Sequence, residues 1–302
     1  MKRLRYLIVG YGNIGHKRQN ALGKKCVGTF DINPKQNPTY SKLKDIPVDN
    51  FDAAVITTPQ DPKLELVKHF LKLKKHVLVE KPLIITPKEG KELEKLAKEN
   101  KVIWHTSYNH RFEPNIEKLN KIIKAGTLGP LYHARFVYSF GNIKERIGTW
   151  RETKYGVLEE IAPHLIDFTL NIFKYKGKDF KPLIKRKVES KIFDHWVFST
   201  TDDKIVFETS SVTWKYIFSL DIYGQKGSVH ISQLNKWGGS TLIIRKRVLP
   251  SGAPLEKIIH TQGSDITWKK DFKFFERMAK AKITSLNGDL ELSEALKRVC
   301  LG

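Results

Sequence analysis

Cysteine is nearly absent from this sequence: 302 residues carry only Cys26 and Cys300. Two thiols so far apart give no disulfide framework and no spaced metal-ligand pair, and they point to a reducing compartment. Long apolar runs are missing as well. The run Tyr6–Val9 ends at once in glycine, and no stretch approaches the roughly 18 apolar residues that span a bilayer. The basic start Met1-Lys-Arg-Leu-Arg therefore does not read as a secretory leader, and the expectation is a cytoplasmic protein without a membrane segment. Repeats and low-complexity tracts are also lacking. With 40% hydrophobic and 28% charged residues, the composition is that of a folded globular chain.

Acidic residues are few beside basic ones, 32 against 54, for a net charge of +22. Such an excess raises nucleic acid as a partner. The charge is spread, however, with 21 basic and 11 acidic residues in positions 1–107 and 33 and 21 in the remainder. There is no basic tail and no arginine strip. Lysines alternate with apolar residues in Leu64–Lys75 and Lys88–Lys98, as on solvated helix faces. The expectation is a generally basic surface rather than a nucleic-acid site, with a surface bias that helps attract an anionic small substrate as a lesser alternative.

What is present is a regular alternation of strand and helix signals. Apolar runs at Leu4–Val9, Cys26–Phe30, Ala53–Thr57, Val77–Val79 and Val102–Trp104 read as buried parallel strands. Helical patterns fall at His16–Leu22, Pro62–Leu73 and Pro87–Asn100. This order predicts an α/β fold, a doubly wound parallel Rossmann sheet over residues 1–107. After Tyr108 the pattern changes. Helices are predicted at Pro114–Ala125, Val157–Phe173, Trp268–Ala281 and Leu290–Val299. Longer strands are predicted at Leu131–Phe140, Phe193–Thr200, Lys204–Ser211, Trp214–Tyr223, Ser228–Ile231 and Thr241–Arg245. Residues 108–302 are therefore expected to form an α+β domain with a large open, mainly antiparallel sheet, with the closing helix able to pack back on the first domain.

The first strand runs into Gly10-Tyr-Gly-Asn-Ile-Gly15, and Asp31 ends the next strand. In that context G-x-G-x-x-G is a dinucleotide signature. Gly10 permits the tight turn, Gly12 lets the backbone approach a pyrophosphate, and Gly15 lets helix and strand close up. The helix start at Asn13, Ile14 and Gly15 offers N–H groups to phosphate. Asp31 can accept from both ribose hydroxyls and would repel a 2′-phosphate, so NAD(H) is the expected cofactor. Lys35 leaves NADP(H) open. Thr57, Thr58, Pro59 and Glu80 fall at or beyond the carboxyl ends of strands, where ligands bind in such sheets.

Lys81, between Glu80 and Pro82, is placed to hold a substrate hydroxyl or a cofactor ribose. In Gly156-Val-Leu-Glu-Glu-Ile-Ala-Pro-His-Leu-Ile-Asp167, helical spacing puts Glu160, His164 and Asp167 on one face. No second histidine completes a metal site, so no metal is expected. His164 suits proton exchange with a hydroxyl group. Pro163 is easiest to place if the regular helix begins near it. Arg111, Arg151 and Lys154 are candidates for an anionic substrate group, and each is equally readable as a surface charge or an ion pair.

Taken in order, the glycine signature, Glu80-Lys81-Pro82, Asn109 with Arg111-Phe112, Trp150-Arg151, the Gly156–Asp167 segment and Asn287-Gly-Asp-Leu-Glu-Leu-Ser-Glu-Ala-Leu-Lys resemble the glucose–fructose oxidoreductase/inositol dehydrogenase/MocA family. The resemblance implies hydride transfer to or from a hydroxyl-bearing carbon of a sugar, cyclitol or nucleotide-sugar. It also implies a homodimer or homotetramer built through the C-terminal sheet. By motif, Lys81 would be the catalytic lysine that binds substrate and His164 the acid–base group. Glu160, a further catalytic and substrate-binding candidate, would stand where the family usually has aspartate, and Asp167 would support the helix face. Asn109, Arg111, Trp150, Arg151 and Lys154 would line the substrate. The sequence departs from the family in Glu160, in a glycine cluster reduced to Tyr155-Gly156, and in Ala162, where glycine is common. Two other readings stay open: a non-catalytic NAD(P)-binding sensor of the same fold, and NAD-dependent glycoside cleavage or redox-assisted rearrangement.

Overall fold

The computed structural model describes residues 4–149 and 151–302. It divides into two compact units, one ending at Asn109 and completed by Thr267–Ser293, the other formed by His110–Ile266 with Glu294–Gly302.

The first unit holds a five-stranded parallel sheet in the order β2-β1-β3-β4-β5. Its strands are β1 (Tyr6–Val9), β2 (Cys26–Phe30), β3 (Ala53–Ile56), β4 (His76–Glu80) and β5 (Trp104–Ser107). Helices α1 (Asn13–Leu22), α2 (Lys63–Lys72) and α3 (Pro87–Asn100) connect them. Alternate side chains of one strand serve opposite faces. Leu7, Val9, Ala54, Ile56, Val77 and Val79 join Val67, Phe70, Leu71, Leu93 and Ala97 in one apolar cluster. Tyr6, Ile8, Ala53, Val55 and Leu78 join Leu22, Phe272, Phe275 and Ala279 in the other. The last three residues come from α6 (Thr267–Ala281), so a helix from the far end of the chain covers the second face. Strand order reverses between β1 and β3, and that switch point is where such sheets open a ligand crevice.

β5 begins at Trp104, later than the expected Val102. The reason is the end of α3: Lys101 takes a left-handed conformation, and the Val102 N–H returns to the Ala97 carbonyl at 3.0 Å. Residue 102 is thus spent on the helix cap.

The second unit carries an eight-stranded sheet, β13-β12-β11-β10-β6-β9-β8-β7. The strands are β6 (Leu131–Ser139), β7 (Phe180–Arg186), β8 (His195–Thr200), β9 (Ile205–Ser210), β10 (Ile217–Gly224), β11 (Gly227–Ser232), β12 (Ser240–Lys246) and β13 (Leu255–Thr261). Neighbours are antiparallel except β6 and β9, which run parallel. Helix α5 (Val157–Ile172) lies against β6, β8 and β9, and α4 (Pro114–Lys124) packs on α5 and β12. Helix α7 (Leu286–Leu301) closes the chain. Both cysteines are free thiols, and burial pushes the Cys300 thiol up to about 12.

Helix α5 starts at Val157, a turn and a half before Pro163, and not at the proline. Pro163 simply leaves the Glu159 carbonyl without its intrahelical donor. The start is set instead by Gly156, which has φ +54° and would place a Cβ 2.1 Å from the Phe193 carbonyl oxygen. The Val157 N–H donates to that same oxygen at 3.3 Å. Only glycine combines that dihedral with that approach. Gly156→Ala is expected to cost at least about 1–3 kcal/mol, read as a lower midpoint of urea unfolding; an unchanged midpoint would show that the loop yields freely.

Candidate functional site

The first unit assembles most of the expected cofactor residues at the ends of β1, β2 and β3. Gly10, at φ +95°, donates its N–H to the Phe30 carbonyl at 2.8 Å. The Thr57 backbone N–H donates to the Val9 carbonyl at 2.8 Å, and the Thr57 hydroxyl donates to the Gly10 carbonyl. These bonds stitch the turn to both neighbouring strands. A Cβ on Gly15 would lie 2.4 Å from the Gly10 carbonyl oxygen, so a side chain there would lift α1 off the turn. A Cβ on Gly12 would meet nothing within 4 Å.

Gly12 is also the N-cap of α1. No side chain caps this end, and no acidic residue stands in its first turn of Asn13, Ile14 and Gly15. Uncapped N–H groups, the positive end of the helix dipole and open space beside Gly12 fit a pyrophosphate. Asp31 is fixed close by. Its Oδ2 accepts from the Tyr11 N–H at 2.7 Å and its Oδ1 from the Asn33 N–H at 2.8 Å. Each oxygen keeps a lone pair for a hydroxyl donor. Past β3, the Thr58 hydroxyl and the Gln60 Oε1 are buried without a hydrogen-bond partner, and Pro59 is exposed. Orphaned polar atoms beside an open helix end are what a polar ligand would satisfy. Gln60 was not legible in the sequence, because its only signal is this missing partner.

Glu80 ends β4, and Lys81 follows across a cis peptide bond to Pro82. Glu80 is held by Arg18, whose Nε and NH2 donate to its Oε1 at 2.7 and 2.5 Å. Arg18 is fully buried. Its NH1 donates to Asp271 Oδ2 at 2.7 Å, and its guanidinium lies 4.4 Å from the centre of the Trp268 ring. Burial alone would lower the Arg18 pKa, yet the charges of Glu80 and Asp271 outweigh it and raise it. Asn109 is buried and donates its amide to the Thr267 hydroxyl at 2.9 Å.

In the second unit the face of α5 expected to gather Glu160, His164 and Asp167 divides among three environments. Glu160 is half-buried and pairs with Arg146 and, at 3.6 Å, with Arg151. Burial first, and Arg151 second, pull the Arg146 pKa down to about 10. Asp167 is buried under Arg111, whose Nε donates to its Oδ2 at 2.7 Å while NH2 bonds Oδ1. Asn171 Nδ2 adds a bond of 2.9 Å. Burial raises the Asp167 pKa, and Arg111 opposes that rise. Of the three readings of Arg111, this geometry is the ion pair.

His164 is buried, with its ring 3.7 Å from that of His110, centre to centre, at 33°. Tyr138 stands 6.1 Å away, its phenol pushed up by burial. The His110 Nε2 in turn lies 3.3 Å from Lys236 Nζ and 3.4 Å from the Tyr138 hydroxyl. Lys154 is exposed, with its amine 5.2 Å from the Tyr155 ring centre. Trp150 lies outside the described residues. Sequence reasoning missed Arg18, Arg146, His110 and Lys236. None was singled out by a motif, although His110 lies between Asn109 and Arg111, and only the fold gives each its partners.

A glycine turn on a parallel Rossmann sheet with an acid at the end of β2 is the arrangement of a dinucleotide-binding domain. Residues 4–108 match the model of the GFO_IDH_MocA family, the oxidoreductase family with an NAD-binding Rossmann fold. The uncharacterised oxidoreductase YdgJ of Escherichia coli is 32% identical over 128 residues, 41% of this chain and 36% of that protein. The scyllo-inositol 2-dehydrogenase (NADP(+)) IolW of Bacillus subtilis is 29% identical over 126 residues, 40% of this chain and 35% of that one. These alignments thus span only about a third of each relative's length. Across 99% of this chain the fold is similar to UDP-N-acetylglucosamine 3-dehydrogenase GnnA from Acidithiobacillus ferrooxidans, with a TM-score of 0.78, 16% identity and 96% of that chain covered. Among the described residues, no helix is long and apolar enough to cross a membrane.

Proposed function

We propose that the chain is an NAD(H)-dependent oxidoreductase that interconverts a hydroxyl and a keto group on a sugar, cyclitol or nucleotide-sugar. The observation that carries this reading is the uncapped, acid-free start of α1, with Asp31 fixed at the neighbouring strand end. Gly10, Gly12, Asn13, Ile14 and Gly15 would take the pyrophosphate, and Asp31 the adenosine ribose. Thr57, Thr58, Pro59 and Glu80 would form the wall beyond the strand ends. When bound, the nicotinamide supplies the hydride acceptor or donor.

The chain's own residues handle the proton. Lys81 donates a hydrogen bond to the substrate oxygen and stabilises the charge that develops there. His164 takes the hydroxyl proton during oxidation and returns it during reduction. Its burial against His110 fixes the ring plane, so the imidazole meets the substrate without a search among rotamers. Glu160 acts at the substrate through Arg146 and Arg151, which it orients. Asn109, Trp150 and Lys154 complete the proposed lining, and Asp167 with Arg111 steadies α5.

Self-association is assigned to the open sheet. Register places Ile184, Tyr223 and Ile258 on one face together with the ion pairs Arg135–Glu208 and Arg245–Glu256. All three apolar side chains are exposed.

The test is a panel of sugars, cyclitols and nucleotide-sugars, with reduced cofactor followed at 340 nm. Turnover is expected with NAD in preference to NADP, and Asp31→Ser should weaken NAD use by about tenfold, the loss of one or two hydrogen bonds to a charged acceptor. A protein that binds NADH yet turns over nothing would be the sensor instead. Products without net redox change would point to cleavage or rearrangement.

A further inference from the structure

A lysine that the proposed chemistry does not use lies beneath the one that it does. Lys63 is the first residue of α2 and is 4% exposed. Its amine donates to the Lys81 carbonyl at 3.1 Å and to the Pro82 carbonyl at 2.9 Å. The placement is unfavourable for a cation in three ways. Burial strips its hydration. The start of a helix repels positive charge. Lys81 brings a like charge to the same turn. A neutral amine suits the site better, because it has two N–H bonds and finds two carbonyls.

We infer that Lys63 is a positioning residue that, as an uncharged two-donor clamp on the Lys81 and Pro82 carbonyls, fixes the direction in which Lys81 reaches its substrate. Burial first and the charge of Lys81 second lower the Lys63 pKa from 10.5 to about 7, against the opposing field of Glu80. The charged groups facing Lys63 are thus Lys81 and Glu80 from the end of β4, and Glu80 is itself held by Arg18. The sign follows directly. Above about pH 7 the clamp is neutral and Lys81 is the only cation of the two. Below it Lys63 gains a proton and pushes against Lys81.

The inference rests on the reading of Lys81 as the lysine that holds substrate, and its test separates the two. Kinetics of the full chain are compared for wild type, Lys63→Met and Lys63→Gln. Lys63→Met should lower kcat by about tenfold to hundredfold, the usual result of misplacing a catalytic group by about an ångström. NADH affinity should stay within about twofold. Lys63→Gln, a neutral donor with a shorter reach, should recover part of kcat. Undiminished kcat in Lys63→Met overturns the inference. So does a fall in kcat matched by an equal loss of NADH affinity and thermal stability, which would be damage to the fold.

Trace acetylation by acetic anhydride, read by mass spectrometry at Lys81 relative to exposed Lys88, needs no substrate. In wild type the Lys81 reactivity profile should show an inflection near pH 7 that Lys63→Gln removes. A wild-type profile without that inflection also overturns the clamp. If the inflection is present and no sugar turns over, the clamp stands and the dehydrogenase reading fails.

Discussion

Replacing His164 with alanine is expected to lower turnover by about 10²–10⁴-fold, the usual contribution of a positioned acid–base group, while NADH affinity stays close to wild type. The two readouts separate because His164 belongs to the second unit and the proposed cofactor residues to the first. His164 is buried and its ring packs, tilted, against His110, so the truncation also leaves a void beside His110. A second variant, His164→Gln, fills most of that volume and still cannot serve as a base at neutral pH. Both variants should be equally inactive. Full turnover in His164→Gln would remove the histidine from the mechanism. Recovery in Gln but not in Ala would mean that it acts by packing alone.

Replacing Arg18 with methionine is expected to cost about 3–5 kcal/mol of folding stability, read by urea unfolding at neutral pH. That is the usual penalty for removing one partner from a buried ion pair. The pair itself need not stabilise the fold relative to an apolar core. The cost arises because Asp271 would stay fully buried, and Glu80 partly so, with their compensating charge gone. Asp271 already has one oxygen without a partner. The double variant Arg18→Met, Asp271→Asn should therefore recover part of the loss, since one uncompensated charge disappears. A loss below about 1 kcal/mol in the single variant would show that water reaches these carboxylates. The same substitution frees Glu80, the residue before Lys81, so kcat should fall even where the variant is folded.

How much of this was legible beforehand varies with the kind of residue. The glycine turn, Asp31 and the Glu80-Lys81-Pro82 segment could be found because their roles depend on backbone shape and on chain neighbours. Strands β1 to β4 could be found because both faces of the sheet are covered, and each strand is an apolar run. Strands β7 and β13 escaped notice, and they are the two edges of the eight-stranded sheet. Phe180–Arg186 contains a proline and three basic residues, and Leu255–Thr261 is exposed along most of its length. Edge strands carry just such residues, which break the alternation that marks a strand.

Helix α6 was expected as a helix, but nothing in its own pattern assigns it to the first sheet. Its apolar stripe would suit any core. Phe272 and Phe275 complete the layer over Tyr6, Ile8 and Val55 only because α1 leaves that face partly uncovered.

The sequence alone determined the order of strands and helices up to β5, the glycine turn, and the identities of the lysine and histidine proposed for the chemistry. These follow from local periodicity and from residues whose backbone geometry admits few alternatives. Tertiary structure alone decided that Arg111 pairs with Asp167, that Glu160 holds two arginines, and that Lys63 lies buried beneath Lys81. The physical reason is that a charged side chain has no fixed meaning along the chain. Its role is set by which partner the fold brings within about 3 Å and by how much water the fold takes away.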